Sequence, residues 1–552
     1  GASRPPRPCG LNEDNPMERA FVCAVDVGTA SARAGIFDAA GSLQGRATRE
    51  ISINRPQAGF AEYDSEEIWA AVCAAVRNAL LASGLTPQDI SGIAFDATCS
   101  LVARGREGEQ VSISPSGDAT RDTIAWFDHR AISEADECTA SGHRVLDHLG
   151  GAMSPEMQTP KLMWLKRNLP DSWQACGKLL DLVDFLTWRA SGQNERSRCT
   201  LTSKWTYLSH DNGWQEDFFE NVGLKDLIER GGLPRETVPV GAAIGTLTAE
   251  AAEELGLSET CRVATGLIDA FAGSLGVIGG YDGGEIERSL ALIAGTSSCV
   301  MGFSSSARFA TGVWGPYFEA ALPGLWLYEA GQSATGALLD HIIRVHGAGG
   351  DPDARMHERI AHRIRELRSH AGEEFAAGLH VLPDFHGNRS PSGDPHARGV
   401  ISGLSLDASF DGLCRLYWRT AVSIALGLRH ILDHLNDGGM DITYLHVTGG
   451  HTRNPLLMEL YADATGRTVR ESETEDAVLL GTAMAAASAA GIYSSLAEAC
   501  RTMRRSYRTR LPNAALREAY DRDYEIFHLM LRQRHELEKL GSKSAWADRL
   551  TP

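Results

Sequence analysis

Residues 21–41 read FVCAVDVGTASARAGIFDAAG. Two apolar runs flank a turn of glycine and small hydroxyl residues, and the first run carries Asp26 near its end, two positions before Gly28. An unpaired buried carboxylate costs several kcal/mol or neutralises itself, so this acid needs a partner or a task. Downstream, SLQGRATREISI supplies a third strand, with residues 38–41 as the turn before it, and the three strands predict an antiparallel meander. Residues 65–81 have helical periodicity, and SGIAFDATCS returns to an apolar strand. A meander followed by alternating helix and strand predicts a layered α/β design.

The opening stretch recurs. Setting DVGTAS (26–31) against IAGTSS (293–298) pairs Gly28 with Gly295, Thr29 with Thr296 and Ser31 with Ser298, and Gly35 matches Gly302. Two similar halves about 270 residues apart predict a duplicated domain. The acid exists in the first copy alone; the second has Ile293 in its place. Glycines cluster at 276–285, which places the boundary there. The expected organisation is a tail at 1–20, an N-terminal domain at 21–282, a C-terminal domain at 283–495 and a helical extension at 496–552. Within the second half, 351–375 reads as a charged helix with a solvated face and 413–435 as a buried helix. YLHVTGGHTRNPLLMELYADATG reads as strand, glycine turn and helix, with Asn454 as cap and Pro455 at the first helical position.

A chain of 552 residues is too long for one core. With 43% hydrophobic and 22% charged residues it has the composition of a globular protein, and no stretch reaches the ~18 to 20 apolar residues of a membrane span. Lys plus Arg number 53 against 71 Asp plus Glu, a net charge of −18 without a basic cluster, which argues against nucleic acid as a partner. Eleven cysteines without a CxxC pair point to reduced thiols and a cytoplasmic location. The first twenty residues lack the apolar core of a signal peptide and read as a tail, with Met17 as a start.

Glycine turns between apolar strands can present backbone N–H groups to phosphate oxygens, and neighbouring hydroxyls add donors. Gly28-Thr29-Ala30-Ser31 and Gly295-Thr296-Ser297-Ser298 can thus grip one polyphosphate from both sides, although each alone reads first as a tight hairpin. Neither is a GxxxxGK[ST] loop or a GxGxxG fingerprint.

These residues together resemble a known family. DVGTASARAGIFD, the second GTSS, PDFHGNRSP (383–391) with ARGVISGL (397–404), and TGGHTRNPLLMELYADATG are similar to the signatures of the FGGY carbohydrate kinases, members of the actin, hexokinase and Hsp70 ATPase superfamily. FDATCSL (95–101), WFDHRA (126–131), SPEMQTPKLMWLK (154–166) and YEAGQSATG (328–336) resemble the ribulokinase-like, pentulose-phosphorylating branch, of the D-ribulokinase type.

The resemblance implies two ribonuclease H-like α/β domains with sugar and ATP meeting in the cleft between them. It implies Asp26 as a Mg2+-side carboxylate, against the alternative of an ion pair with Arg33, and Asp269 as the catalytic base, against a helix cap. Mg2+ keeps several waters and needs one or two carboxylates, so a solitary acid suffices. By position, Lys161, Glu329, Cys99, Asp128 and Trp126 are the sugar contacts; in isolation Lys161 reads as a surface lysine and Trp126 as a core aromatic. Gly28, Thr29, Ser31, Arg33, Gly295, Thr296 and Ser297 belong to the phosphate motifs, and Gly449, Gly450 and Asn454 to the adenosine turn. Residues 385–389 are assigned to positioning the C-terminal domain, and His341, His346, His357 and His362 to surface or cap positions. The expected reaction is ATP-dependent phosphorylation of the terminal hydroxyl of a ketopentose, D-ribulose first, with L-ribulose, ribitol, xylulose or a heptulose as alternatives. A nucleotide-switched binding protein of the actin and Hsp70 kind is the rival class. A homodimer is common among such relatives.

Overall fold

β1 (Phe21–Val27) and β2 (Ser31–Asp38) form an antiparallel hairpin, and β3 (Leu43–Glu50) extends it into the meander read from the sequence. The computed structural model describes residues 20–541; residues 1–19 of the expected tail, Met17 included, and residues 542–552 lie outside them. Helix α1 (Ser65–Ser83) follows, its first turn capped by Asp64, which accepts from the amides of Glu66 and Glu67. β4 (Ile90–Ala97) then lies parallel to β1 on the side away from β2. β5 (Ala243–Thr246), β6 (Arg262–Ala264) and β7 (Leu267–Ile268) complete a first sheet of order β3-β2-β1-β4-β6-β5, with β7 also parallel to β4.

The second sheet repeats this plan. β8 (Ser289–Ala294) and β9 (Ser298–Ser304) form the hairpin, and β10 (Trp314–Phe318) and β11 (Trp326–Gln332) extend it. β12 (Tyr444–Thr448) lies parallel to β8 as β4 does to β1, followed by β13 (Thr468–Ser472) and β14 (Tyr507–Arg510) in the order β10-β11-β9-β8-β12-β13-β14. The expected α/β architecture of two ribonuclease H-like halves is the one that forms.

Helices fix how the halves meet. α2 (Gln158–Asn168) carries Lys161 and α3 (Arg198–Lys204) ends at Lys204. α4 (Asp269–Ile278) leaves the first sheet and packs on β8 of the second. α5 (Ala354–Ala371) is capped by Asp353 and keeps a polar outer face, α6 (Phe410–Asp437) is the buried helix, and α7 (Pro455–Asp463) starts at Pro455 under the Asn454 cap, all as read.

α8 (Ala477–Ala489) returns to β1 and β4 of the first sheet and crosses α4. A Cβ on Gly276 would sit 2.0 Å from the Ala477 carbonyl oxygen, and one on Gly481 1.8 Å from that of Ala272, so glycine at both is a condition of this close crossing. Leu479, Leu480 and Met484 are fully buried there, each contributing about 1.5–3 kcal/mol of burial. A helix from the C-terminal stretch therefore completes the N-terminal half.

The extension expected to be helical differs from that reading. It ends in a long helix, α9 (Arg517–Gly541), but it contributes β14 as an antiparallel edge strand on β13. Exposed charged side chains at Arg508 and Arg510 suit an edge, where unpaired backbone must be kept from other chains. The ten described cysteines are all unpaired. No described helix is long and apolar enough to cross a membrane.

Candidate active site

Parallel strands gather ligands at their carboxyl ends. β1 ends at Asp26-Val27-Gly28, β4 at Asp96 to Cys99, and β7 runs directly into Asp269, the first residue of α4. On the other sheet β8 ends at the Gly295 turn and β12 at Gly449-Gly450. The facing edges enclose a cleft of about 540 Å3 lined by Asp26, Asp269, Glu329, Gly295 and Gly450 among others.

Strand register decides the surroundings of Asp26. Arg33 lies opposite it on β2 and Asp96 beside it on β4. Asp26 is buried and pairs with Arg33, so the ion pair forms, and its carboxylate still lines the cleft. Arg33 also donates to Asp476 Oδ2 at 2.6 Å, with Arg46 3.4 Å from the same oxygen. Asp476 caps α8 through the Leu479 amide, so this carboxylate arrives from the far end of the chain.

Asp96 was not among the expected residues. It is fully buried, accepts from the Thr482 hydroxyl through Oδ2, and its Oδ1 finds no partner among the described residues. Burial, then the neighbouring Asp26 charge, pushes its carboxyl well above the usual range. The same two causes raise Asp269 to about 6, against an opposing hydrogen bond from the Ala270 amide at 2.7 Å. Asp269 therefore changes charge near neutrality, where a base can both hold and release a proton.

The opposite end of the cleft is polar and aromatic. Lys204, at the end of α3, reaches Glu329 Oε2 on β11 at 3.4 Å, both side chains nearly inaccessible. Its ammonium stands 4.8 Å from the Trp314 ring; burial pulls its pKa down, but the Glu329 charge together with Cys99, Tyr317 and Glu156 more than offsets this and holds it protonated. Lys204 is a cleft-lining residue that sequence reasoning missed, since TSKW has no local signature. Glu156, Arg389 and Trp314 also line this end and were not among the expected contacts. Trp126 and Cys99 line it as expected, Trp126 donating its indole N–H to Thr29 Oγ1 at 3.0 Å.

Two expected sugar contacts fall behind the wall. Lys161 is fully buried rather than a surface lysine, and its ammonium donates to the carbonyl oxygens of Glu156 at 3.1 Å and Trp126 at 3.3 Å. Asp128 is fully buried, accepting from the Ala61 amide and pairing with Arg130 at 2.8 Å. Neither is among the lining residues.

The two glycine turns close alike: the Gly28 amide donates to the Ser31 carbonyl at 3.0 Å and the Gly295 amide to that of Ser297 at 2.9 Å. Among the described residues, the amides of Thr29, Ala30, Thr296 and Ser297 find no acceptor. A Cβ on Gly28 or Gly295 would meet no atom nearer than 3.7 or 3.9 Å, and none within 4 Å on Gly450, so the space beyond is open. Gly449 differs, with φ of 94° and a Cβ position 2.4 Å from the Ala294 carbonyl oxygen.

His451 Nε2 holds the Gly295 carbonyl at 2.8 Å, and burial lowers its imidazole to about 4, so it stays neutral. Thr29, Ser31 and Asn454, expected at the nucleotide, do not line the cleft; Asn454 caps α7 and donates to the Tyr417 hydroxyl at 3.1 Å. Of the four histidines, His341 and His362 are exposed, and His357 bridges Tyr417 and Asp340.

Comparison with known proteins gives two family matches, the N-terminal domain of the FGGY family of carbohydrate kinases over residues 21–276 and its C-terminal domain over residues 290–490. An FGGY carbohydrate kinase domain-containing protein of Xenopus laevis is 43% identical over 530 residues, covering 92% of this chain and 96% of that one. A D-ribulokinase of Saccharomyces cerevisiae is 36% identical over 517 residues, covering 86% of this chain and 72% of that one. The crystal structure of a xylulose kinase from Rhodospirillum rubrum superposes with a TM-score of 0.76 at 23% identity, over 94% of this chain and 99% of the other, a likeness of fold.

Proposed function

The chain belongs to the FGGY family of carbohydrate kinases, and from that premise we propose that it transfers the γ-phosphate of ATP to the C5 hydroxyl of a ketopentose, D-ribulose giving D-ribulose 5-phosphate. One observation carries the reading: a carboxylate tuned to about 6 shares a single cleft with the glycines of two turns, and the amides that follow those glycines find no acceptor among the described residues. The named activity of the yeast relative supports D-ribulose. In this reading 21–282 supplies the base and part of the sugar site, and 283–495 supplies Glu329 and Trp314 to that site and most of the nucleotide site.

Asp269 accepts the C5 hydroxyl proton as that oxygen attacks the γ-phosphorus in line. The bond from phosphorus to the β–γ bridging oxygen breaks, and ADP leaves with its electron pair. Asp269 starts α4, so its carboxylate is fixed by a helix packed under both sheets rather than by a loop. The Lys204–Glu329 pair offers one donor group and one acceptor group to sugar hydroxyls, with Trp126, Trp314 and Cys99 as the wall. The amides of Thr29, Ala30, Thr296 and Ser297 donate to phosphate oxygens. Gly28 and Gly295 leave room for that approach, and Gly449-Gly450 admits the adenosine.

The residues present also fit Mg2+. Among the described residues no group of three or more His, Cys, Asp or Glu forms a metal cage, while Asp26 offers a hard oxygen at the phosphate end of the cleft. That set suits an ion held by one carboxylate, waters and phosphates. When bound, Mg2+ neutralises charge on the phosphates. Arg33 holds the Asp26 charge in place and Asp476 holds Arg33.

ADP release measured over D-ribulose, L-ribulose, ribitol, xylulose and a heptulose tests the proposal. The expected result is the highest kcat/KM for D-ribulose. A tenfold higher value for another sugar reassigns the substrate, and sugar-independent ATP turnover with partner binding supports a nucleotide-switched module instead.

A further inference from the structure

Arg389 stands at the sugar end of the cleft on a loop that its neighbour fixes. Ser390 Oγ accepts the Gly331 amide at 3.2 Å and donates to the Gly312 carbonyl at 2.8 Å. The guanidinium lies 5.0 Å from the Trp314 ring, donates through Nη1 to Cys299 Sγ at 3.4 Å and through Nη2 to Glu156 Oε2 at 3.1 Å. Glu156 comes from the other half of the molecule, and the buried Lys161 ammonium pins its carbonyl, together with that of Trp126. Ring, thiol, carboxylate and backbone thus hold one planar donor group in one orientation, with the rest of the cleft before it.

The chemistry around it is divided. Asp269 and Glu329, as carboxylates, only accept and so take hydroxyl groups; a guanidinium has five N–H donors and no acceptor. A ketose and the alditol of the same chain length differ in one group, an acceptor-only carbonyl against a hydroxyl that must also place its own proton. A fixed donor-only group favours the first, because a carbonyl oxygen leaves no donor unpaired.

We propose that Arg389, oriented by Glu156, donates to the ketone oxygen of the substrate and sets the preference for a ketopentose over the corresponding pentitol. Glu156 and Lys161 are positioning residues: they act through Arg389 and the Trp126 wall. This rests on the pentulose kinase reading above.

The test compares D-ribulose and ribitol, by kcat/KM or, where ribitol turns over too slowly, by its competitive inhibition constant, in wild type, Arg389→Met, Arg389→Lys and Glu156→Gln. Arg389→Met is expected to lower kcat/KM for D-ribulose by about tenfold or more, leave ribitol within about twofold, and leave KM for ATP unchanged. Arg389→Lys keeps the charge without the fork and is expected to recover part of the ratio; Glu156→Gln moves it in the same direction by less. Equal losses on both sugars, or an unchanged ratio, overturn the proposal. If Arg389→Met does not fold, the Lys and Gln variants decide by the same ratio. Wild type inactive on D-ribulose would instead mean that the kinase reading has failed, which is a separate result.

Discussion

At the mouth of the first sheet, β1 and β4 carry Asp26 and Asp96 near their ends and β7 leads into Asp269. At the mouth of the second, β8 and β12 carry Ile293 and Thr448 and lead into Gly295 and Gly449-Gly450. Backbone plan and strand order match on the two sides; the electrostatics do not. Burial raises all three carboxylates and the Asp26 charge adds to the rise at Asp96 and Asp269, so the first mouth accumulates groups that resist ionisation, and in the proposed reaction Asp269 is the base. The ends of β8 and β12 carry no such acid and offer amides and open space; the second half's Glu475 and Asp476 enter the cleft after β13 instead. A duplicated scaffold can therefore hold phosphate from both sides while confining proton transfer to one.

The largest expected effect comes from removing the base. Asp269→Asn should lower kcat by about 10³-fold, within the usual range for a general base. The same change should stabilise the fold. The folded carboxyl titrates near 6, above its usual 3.8, so the native state favours the protonated form and loses stability as pH rises through 6. Asparagine has no such loss. Its unfolding midpoint at pH 8 should exceed that of wild type by an amount equivalent to about 1 kcal/mol, discounted for cleft water, and the advantage should vanish below pH 4.

Asp26→Ala tests the asymmetry from the other acid. We expect about a 100-fold loss in kcat/KM for Mg·ATP. Removing a like charge also favours the ionised form of Asp269, so the acid limb of the rate profile should shift to lower pH. Ile293→Asp in that background places an acid at the matching site of the second sheet and should not restore activity, because no arginine lies opposite it: its partner on β9 is Cys299.

The smallest effects lie on the glycine side and separate space from strain. Gly450→Ala should raise KM for ATP several-fold with no change in melting temperature, since its Cβ meets nothing. Gly449→Ala should destabilise by about 1–3 kcal/mol, because alanine must adopt φ near 94° against the Ala294 carbonyl.

Much of the fold was legible because it is local. The alternation of β1 to β3, the helical periodicity of 65–81 and the Asn454–Pro455 start of α7 all follow from neighbours in sequence. The return of α8 to the first sheet does not, since an alanine-rich run reads as a buried helix without saying what it is buried against. β14 was hidden because four residues of alternating charge need a partner strand to become visible. At the site, Asp26 stood out as an acid near a strand end and Asp269 was placed through the family resemblance, and both line the cleft. The same signal was present at Asp96 in FDATCS, where it passed unread beside Cys99. Lys204 and Arg389 could not be placed from sequence, because their partners Glu329 and Glu156 are 125 and 233 residues away. Lys161 was found and misplaced: a lysine in a contact-bearing motif turned out to hold the wall from behind.

The most direct test of the account is the pH dependence of kcat/KM for D-ribulose at saturating Mg·ATP, from pH 5 to 8, in wild type and Asp269→Asn. Wild type should lose about tenfold per pH unit below a limb near 6, and the variant should keep a low residual rate with no such limb. A wild-type profile flat through pH 6, or a variant within tenfold of wild type, would contradict it.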